Sequence, residues 1–244
     1  MLIMISTVGI VGYGNFGSFV YKLGQQFFSE IEFKINSRRF PTDGKKFFDL
    51  KEVAQADVVF LCAKISEYEE RMQEILKHAL PNTIFVDVAA AKVYTSELCQ
   101  KYCQGKKFIS IHPMFGASSL AKTGGKIKDF KIVATDYALK NDTYQMLKTK
   151  FSKFGFDIIE MTPDEHDKNL AETLFITHYI SEAVAKTDTK RTEIDTLAFQ
   201  FLMDAVDSVK DDKVLFKDIY QYNPYCKQTA ENFRSAMVDV FDEL

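Results

Sequence analysis

The sequence has 244 residues, of which 46% are hydrophobic and 27% charged, and its net charge is −3. That composition is globular, and the length allows one large domain or two modest ones. A pI near 5.9 excludes a strongly basic nucleic-acid binder or anionic-membrane binder as the default reading.

No run approaches the roughly 18 apolar residues that a membrane helix needs. Met1-Leu2-Ile3-Met4-Ile5 is apolar, lacks a basic leader and runs straight into a glycine pattern. It reads as a buried strand rather than a signal peptide, so the cytoplasm is the expected compartment. Phe241-Asp242-Glu243-Leu244 resembles an ER-retention tail, but without an entry signal that likeness is chance. Cys62, Cys99, Cys103 and Cys226 form no C-x-x-C pair. They are expected to be buried or half-buried thiols in a reducing compartment. The four histidines lack i, i+4 spacing, and no metal is expected.

The first 160 residues alternate strands and helices. Short runs of β-branched and aromatic residues, apolar on both faces, predict strands at Thr7–Val11, Glu32–Asn36, Val58–Cys62, Thr83–Val88, Phe108–Ile111 and Lys131–Ala134, with an edge strand at Asp157–Glu160. Helical periodicity falls between them at Gly17–Phe28, Glu67–Leu80, Ser96–Gln104 and Lys140–Phe154. The alternation implies an α/β fold with a doubly wound, mostly parallel Rossmann-type sheet.

The pattern changes at Thr162-Pro163-Asp164-Glu165. Thr162 can cap a helix, Pro163 suits its first turn and Glu165 completes a capping box. Helices are predicted at Asp164–Thr187, Ile194–Lys210, Lys213–Tyr222 and Pro224–Asp242. The last two are parted by Asn223-Pro224, because the residue before a proline avoids the helical region. The expected division is a dinucleotide-binding domain over residues 1–161 and a smaller all-helical domain over 162–244, for substrate and dimerisation. Repeated Phe199, Leu202, Val206, Leu215, Phe233 and Val240 carry more apolar surface than so small a domain readily hides, so a homodimer through these helices is expected.

Val8-Gly9-Ile10-Val11-Gly12-Tyr13-Gly14-Asn15-Phe16-Gly17 is a strand followed by G-x-G-x-x-G. Gly12 permits the tight turn, Gly14 lets backbone approach a pyrophosphate and Gly17 lets the next helix sit close to the sheet. The helix N-terminus, opening at Asn15, Phe16 and Gly17, offers amide donors to the phosphates. An acidic residue near the end of the second strand would select NAD. Asn36-Ser37-Arg38-Arg39 stands there instead. Two guanidiniums and a hydroxyl suit a 2′-phosphate, so NADP is the expected cofactor, the other reading being a solvated surface turn.

His112-Pro113-Met114-Phe115-Gly116 follows a strand late in the α/β domain. At this point the sequence resembles the prephenate/arogenate dehydrogenase family. Val86-Asp87-Val88-Ala89-Ala90-Ala91-Lys92 is similar to that family's D-V-x-S-V-K segment, and Asp164-Glu165-His166-Asp167 to its E-H-D helix start. His178 stands where a second family histidine is expected. Tyr222-Asn223-Pro224 and Ser37-Arg38 resemble the plant-type arogenate branch. The resemblance implies NADP-dependent oxidative decarboxylation of arogenate or prephenate in tyrosine biosynthesis. It gives His112 the role of base on the 4-hydroxyl, His178, Ala90 and Gly116 that of substrate contacts, and the loop Cys62-Ala63-Lys64-Ile65, which lacks the proline many relatives have there, a place near the nicotinamide. Ala90 replaces the family serine, Ala117 replaces the proline after the H-P-M-F-G element, and no arginine falls on a ring-carboxylate motif, although Arg191 and Arg234 lie nearby. His166 reads as a helix-start residue, His78 as a helix-end residue, and Lys92 as either near the cofactor or solvated. Two other readings stay open: another small NADP oxidoreductase, such as one acting on a β-hydroxy acid, against which His112 in H-P-M-F-G argues, and a non-catalytic NADP-binding relative, which Ala90 favours.

Overall fold

The computed structural model describes residues 5–127, 130–210 and 212–244, and of Ser118 only the backbone. The strand expected over Met1–Ile5 therefore lies mostly outside the described residues, and the first strand begins at Thr7. The chain divides into two compact units, one ending at Pro163 and the other spanning Asp164–Leu244.

The first unit is a seven-stranded sheet, β1 (Thr7–Val11), β2 (Glu32–Asn36), β3 (Val58–Leu61), β4 (Ile84–Asp87), β5 (Lys107–Pro113), β6 (Phe130–Tyr137) and β7 (Phe156–Glu160). Its order is β2-β1-β3-β4-β5-β6-β7. All neighbours are parallel except β5 and β6, which run antiparallel. The strands are apolar on both faces because helices cover the sheet. Val8, Ile10, Phe33, Ile35, Val58, Ile84 and Val86 form one buried cluster across four of them.

The helices of this unit are α1 (Asn15–Phe27), α2 (Leu50–Ala54), α3 (Tyr68–His78), α4 (Lys92–Tyr102), α5 (Ala117–Lys122) and α6 (Asn141–Lys153). Two differences from the sequence reading are physical. The helix expected from Ser96 starts a turn earlier, at Lys92, because Lys92, Thr95 and Ser96 are buried polar residues that carry no apolar periodicity. The short helices α2 and α5 escape a reading by periodicity because five or six residues show too little of it. His78 closes α3, as expected.

Chain reversal at β1 fixes where a ligand can sit. β1 connects to β2 on one side, and the chain then returns to place β3 on the other side of β1. In open α/β sheets the crevice at such a switch point, beyond the strand carboxyl ends, is the binding place.

The second unit is α-helical: α7 (Pro163–Leu170), a π-helical turn (Ala171–Phe175), α8 (Ile176–Ala185), α9 (Leu197–Val209), α10 (Lys213–Tyr222) and α11 (Cys226–Asp242). Asn223 takes an extended backbone (ψ 118°) between α10 and α11, as a residue before proline should. Phe175 is fully buried and stacks on Tyr179, Phe216 and Tyr220 with ring centroids 5.5–5.9 Å apart. The apolar stripe expected to be exposed is partly internal. Val206 is buried and Phe199, Leu202, Leu215 and Phe233 are half-buried, whereas Val240 is exposed. The exposed apolar surface lies instead at Ile194, Leu197 and Phe201, and at Met237, Val238, Val240 and Phe241.

Candidate active site

The glycine loop joins β1 to α1 at the switch point. Gly12 has φ +103°, and a Cβ there would stand 2.3 Å from the Cys62 carbonyl oxygen. A Cβ on Gly17 would stand 2.0 Å from the Gly12 carbonyl oxygen, so neither position admits a side chain. Gly14 differs: nothing lies within 4 Å of its missing Cβ, which leaves open space above the loop. The first turn of α1 holds no acidic residue, and Gly14 caps it without a side chain. Amides at Asn15, Phe16 and Gly17 thus present the positive end of a 13-residue helix to that space. These residues fit a dinucleotide pyrophosphate.

At the end of β2 the Asn36 side chain is engaged. Its Oδ1 accepts from Arg71 at 2.6 Å and its Nδ2 donates to the Phe48 carbonyl at 3.1 Å. Asn36 therefore fixes the turn, and the groups that could meet a ribose or phosphate are those after it. Ser37 Oγ accepts from the Arg39 amide at 3.1 Å. Arg38 donates to Glu70 on α3 at 2.9 Å and to Glu67, just before α3, at 3.4 Å, while Lys64 stands 3.7 Å from Glu67. Arg39 is exposed. Beyond β3, Cys62 and Ala63 are half-buried. Burial pushes the Cys62 thiol up to about 12, so it stays neutral and offers no nucleophile.

His112 is 8% exposed and sits one residue from the carboxyl end of β5. The β5–β6 ladder shifts register between Ser110 and Ile111, immediately before it. Such a bulge re-aims the side chains that follow. Because β1, β3, β4 and β5 are mutually parallel, the glycine loop and His112 open on the same sheet edge. Three strand spacings separate them, about 14 Å.

Beneath this edge lies a buried polar cluster that the sequence did not disclose. Lys92 is fully buried and ion-paired to Asp87 at 2.7 Å, which overturns the solvated alternative. Burial pushes the Asp87 carboxyl up. The Lys92 ammonium and hydrogen bonds from Lys92, Ser110 and Tyr68 more than offset this and hold it below the usual carboxylate range. Ala90 is 4% exposed on the turn that follows β4, and its neighbour Ala89 donates to Asp87 at 2.9 Å. Gly116 caps α5, and its amide donates to Ser119 Oγ at 3.4 Å. Nothing lies within 4 Å of the missing Cβ of Gly116.

In the helical unit, two sequence motifs far apart in the chain meet. His166 and Asp167 are buried, with His166 Nδ1 and Asp167 Oδ1 2.8 Å apart. Asn223, 56 positions later, donates to the Asp167 carbonyl at 2.8 Å, and Tyr225 bonds Asp164. His166 is thus a buried, partnered residue in the first turn of α7. His178 is 2% exposed and stacks flat on Phe216 at 5.8 Å, a turn beyond the π-helical segment. Arg191 is bound to Asp204 at 2.7 Å and Asp207 at 3.2 Å, and Arg234 is exposed.

Burial pushes the His178 imidazole below its ordinary value, against the opposing pull of Asp212 and Glu182. A folded pKa below the unfolded one means that the unfolded chain binds the proton more readily. The stability His178 contributes is therefore full above about pH 6.5 and lost as pH falls through the folded value. His178→Phe, which keeps the stack on Phe216, should flatten the fall in Tm between pH 8 and pH 5. An equally steep fall in the variant would remove His178 as its cause.

Among the described residues, no helix is long and apolar enough to cross a membrane, and no cluster of His, Cys, Asp and Glu could hold a metal ion. A sequence model of the prephenate dehydrogenase nucleotide-binding domain matches residues 43–135, and a TYRAAT1-like C-terminal domain matches residues 183–244. Arogenate dehydrogenase 2, chloroplastic, of Arabidopsis thaliana is 28% identical over 97% of the chain, and arogenate dehydrogenase 1, chloroplastic, of the same plant is 29% identical over 97%. The chain spans 69% of the length of the first and 39% of the second. The solved structure of prephenate dehydrogenase from A. aeolicus, in complex with hydroxyphenyl propionate and NAD+, shares the fold with a TM-score of 0.72. It is 16% identical and matches over 98% of this chain and 91% of that one. By these matches the chain is similar to arogenate dehydrogenases along nearly its whole length, and residues 43–135 match the nucleotide-binding domain of prephenate dehydrogenase.

Proposed function

We propose that the chain is an NADP-dependent dehydrogenase that oxidatively decarboxylates arogenate or prephenate in the cytoplasm, with arogenate favoured by Ser37-Arg38 and Tyr222-Asn223-Pro224. One observation carries the reading: the glycine loop and the buried His112 lie on one carboxyl edge of a parallel sheet, about 14 Å apart. A bound nicotinamide would supply the hydride acceptor for substrate C4. Gly12, Gly14, Asn15, Phe16 and Gly17 hold the pyrophosphate, and Ser37, Arg38 and Arg39 hold the 2′-phosphate, with Asn36 fixing their turn. Cys62, Ala63 and Lys64 line the crossing between the two ends.

His112 takes the proton of the 4-hydroxyl as the hydride leaves, and the C1 carboxylate departs as carbon dioxide. Its bonding electrons enter the ring, which becomes aromatic. Ala90, Gly116 and His178 are assigned to the substrate. The exposed apolar residues Leu197 and Phe201 on α9 and Phe241 on α11 are assigned to contact with a second copy of the chain. The test is reduced-cofactor absorbance at 340 nm with arogenate, prephenate and a panel of β-hydroxy acids. Turnover of the β-hydroxy acids alone would assign the chain to a different oxidoreductase class.

Ala90 favours a second reading, a relative that binds NADP without chemistry. A lost hydroxyl costs about 0.5–1.5 kcal/mol if it bonded the transition state, roughly two- to thirteen-fold in rate. A working enzyme should therefore survive it, and Ala90→Ser should leave kcat/KM unchanged or raise it by up to about tenfold. Activity in Ala90→Ser alone, with an inert wild type, would support the non-catalytic reading.

A further inference from the structure

We infer that Lys92 is a positioning residue for His112 and the centre of a clamp, with Asp87, Ser110 and Tyr68, that sets the carboxyl ends of β3, β4 and β5. This deepens the proposed dehydrogenase function and rests on it.

All four side chains are buried. The Lys92 ammonium donates to Asp87 Oδ2 at 2.7 Å, Ser110 Oγ at 3.1 Å and the Ile111 carbonyl at 2.8 Å. An ammonium has only donors to offer, and each of these bonds sets one against an oxygen acceptor. The third is the informative one. The Ile111 carbonyl belongs to the same planar peptide as the His112 nitrogen, so gripping it fixes the plane from which His112 departs. The register shift at Ser110–Ile111 disrupts the strand ladder at that very point. Lys92 supplies there what regular pairing does not.

Asp87 ties the clamp to the neighbouring strands. Its Oδ1 accepts from Tyr68 at 2.7 Å and from the Ala89 amide at 2.9 Å, and its Oδ2 from Ser110 at 2.6 Å. Tyr68 Oη in turn accepts from the Val88 amide at 3.0 Å and lies 3.1 Å from the Leu61 carbonyl at the end of β3. The cluster thus connects the last residue of β3, the turn bearing Ala90 and the residue before His112. A purely structural role would not need it. Apolar residues of similar volume often replace a buried ion pair without loss of stability, but they cannot hold the Ile111 carbonyl.

The experiment is the double variant Lys92→Met/Asp87→Asn. It removes both charges together, and asparagine keeps an Oδ1 acceptor for Tyr68 and Ala89. The expected result is a folded protein with calorimetric NADP affinity and substrate KM within about twofold of wild type and kcat lower by about 10- to 100-fold, the scale of a misplaced group about 1 Å out of line. Wild-type kcat in the folded double variant overturns the inference. If the double variant does not fold, Ser110→Ala, which strips one partner from Lys92 without touching charge, should lower kcat about threefold at unchanged KM, and an unchanged kcat overturns it. If the wild type turns over neither substrate, the functional reading fails instead. The clamp is then tested by the NMR signal of the His112 imidazole, identified by its absence in His112→Ala. A shifted signal in the double variant supports the positioning role, and an unshifted one contradicts it.

Discussion

His112→Ala is expected to lower kcat/KM on the accepted substrate by about 100- to 10,000-fold, the usual cost of losing a positioned base, while the calorimetric affinity for NADP stays within about twofold. The two effects separate because the histidine and the phosphate loop are three strands apart. His112 stands on β5 and the loop follows β1. Imidazole is the apt group, since its ordinary pKa lies near neutrality and it can take a proton and release it again. A fall in kcat/KM that came entirely from weaker cofactor binding would place His112 at the cofactor rather than at the hydroxyl. Near-wild-type turnover would show that His112 is not the base.

The second large effect concerns the cofactor. Replacing Arg38 and Arg39 together by alanine should weaken NADP binding at least tenfold and leave NAD within about twofold. Each charge-assisted bond to a 2′-phosphate is worth about 1.5–3 kcal/mol, or roughly 10- to 150-fold. The lower end applies to Arg38. It is half exposed and already bound to Glu67 and Glu70, so a phosphate would exchange one anionic partner for another. Wild-type protein that binds NAD and NADP equally by calorimetry would overturn the assignment. Equal loss of both in the variant would mean that the arginines support the fold of the turn rather than read the 2′ position.

The fold was legible because its signals are local and repeated. Strands β1 and β2 coincide with the runs read from Thr7–Val11 and Glu32–Asn36, and α10 with Lys213–Tyr222. Each is bounded by a sharp marker: the glycine turn after Val11, the polar turn after Asn36 and the proline after Asn223. Gly12 and Gly17 were readable for the same reason, since a tight turn against a neighbouring strand leaves no room for a Cβ. The polar clamp was not legible. Tyr68, Asp87, Lys92 and Ser110 come from three strands' worth of chain, and nothing in their spacing says that they converge. A lysine in particular reads as solvated until its burial is seen. Asp87 and Lys92 stand out in the sequence only as letters of a family motif, and their pairing gives those letters a physical purpose. Asn36 shows the opposite failure. Its place at the end of β2 suggested a cofactor contact, but Arg71 and the Phe48 carbonyl engage both ends of its amide. The helical unit misled in another way, because a run of apolar residues cannot separate Val206, which packs inward, from Leu197 and Phe201, which do not.

The most direct measurement is product stoichiometry. Purified protein is incubated with arogenate and NADP, then with prephenate and NADP, and the aromatic product, carbon dioxide and NADPH are each quantified. The expected result is one aromatic product, tyrosine from arogenate or 4-hydroxyphenylpyruvate from prephenate, for each carbon dioxide and each NADPH formed. Bound NADP with no aromatic product from either substrate would contradict the proposed chemistry.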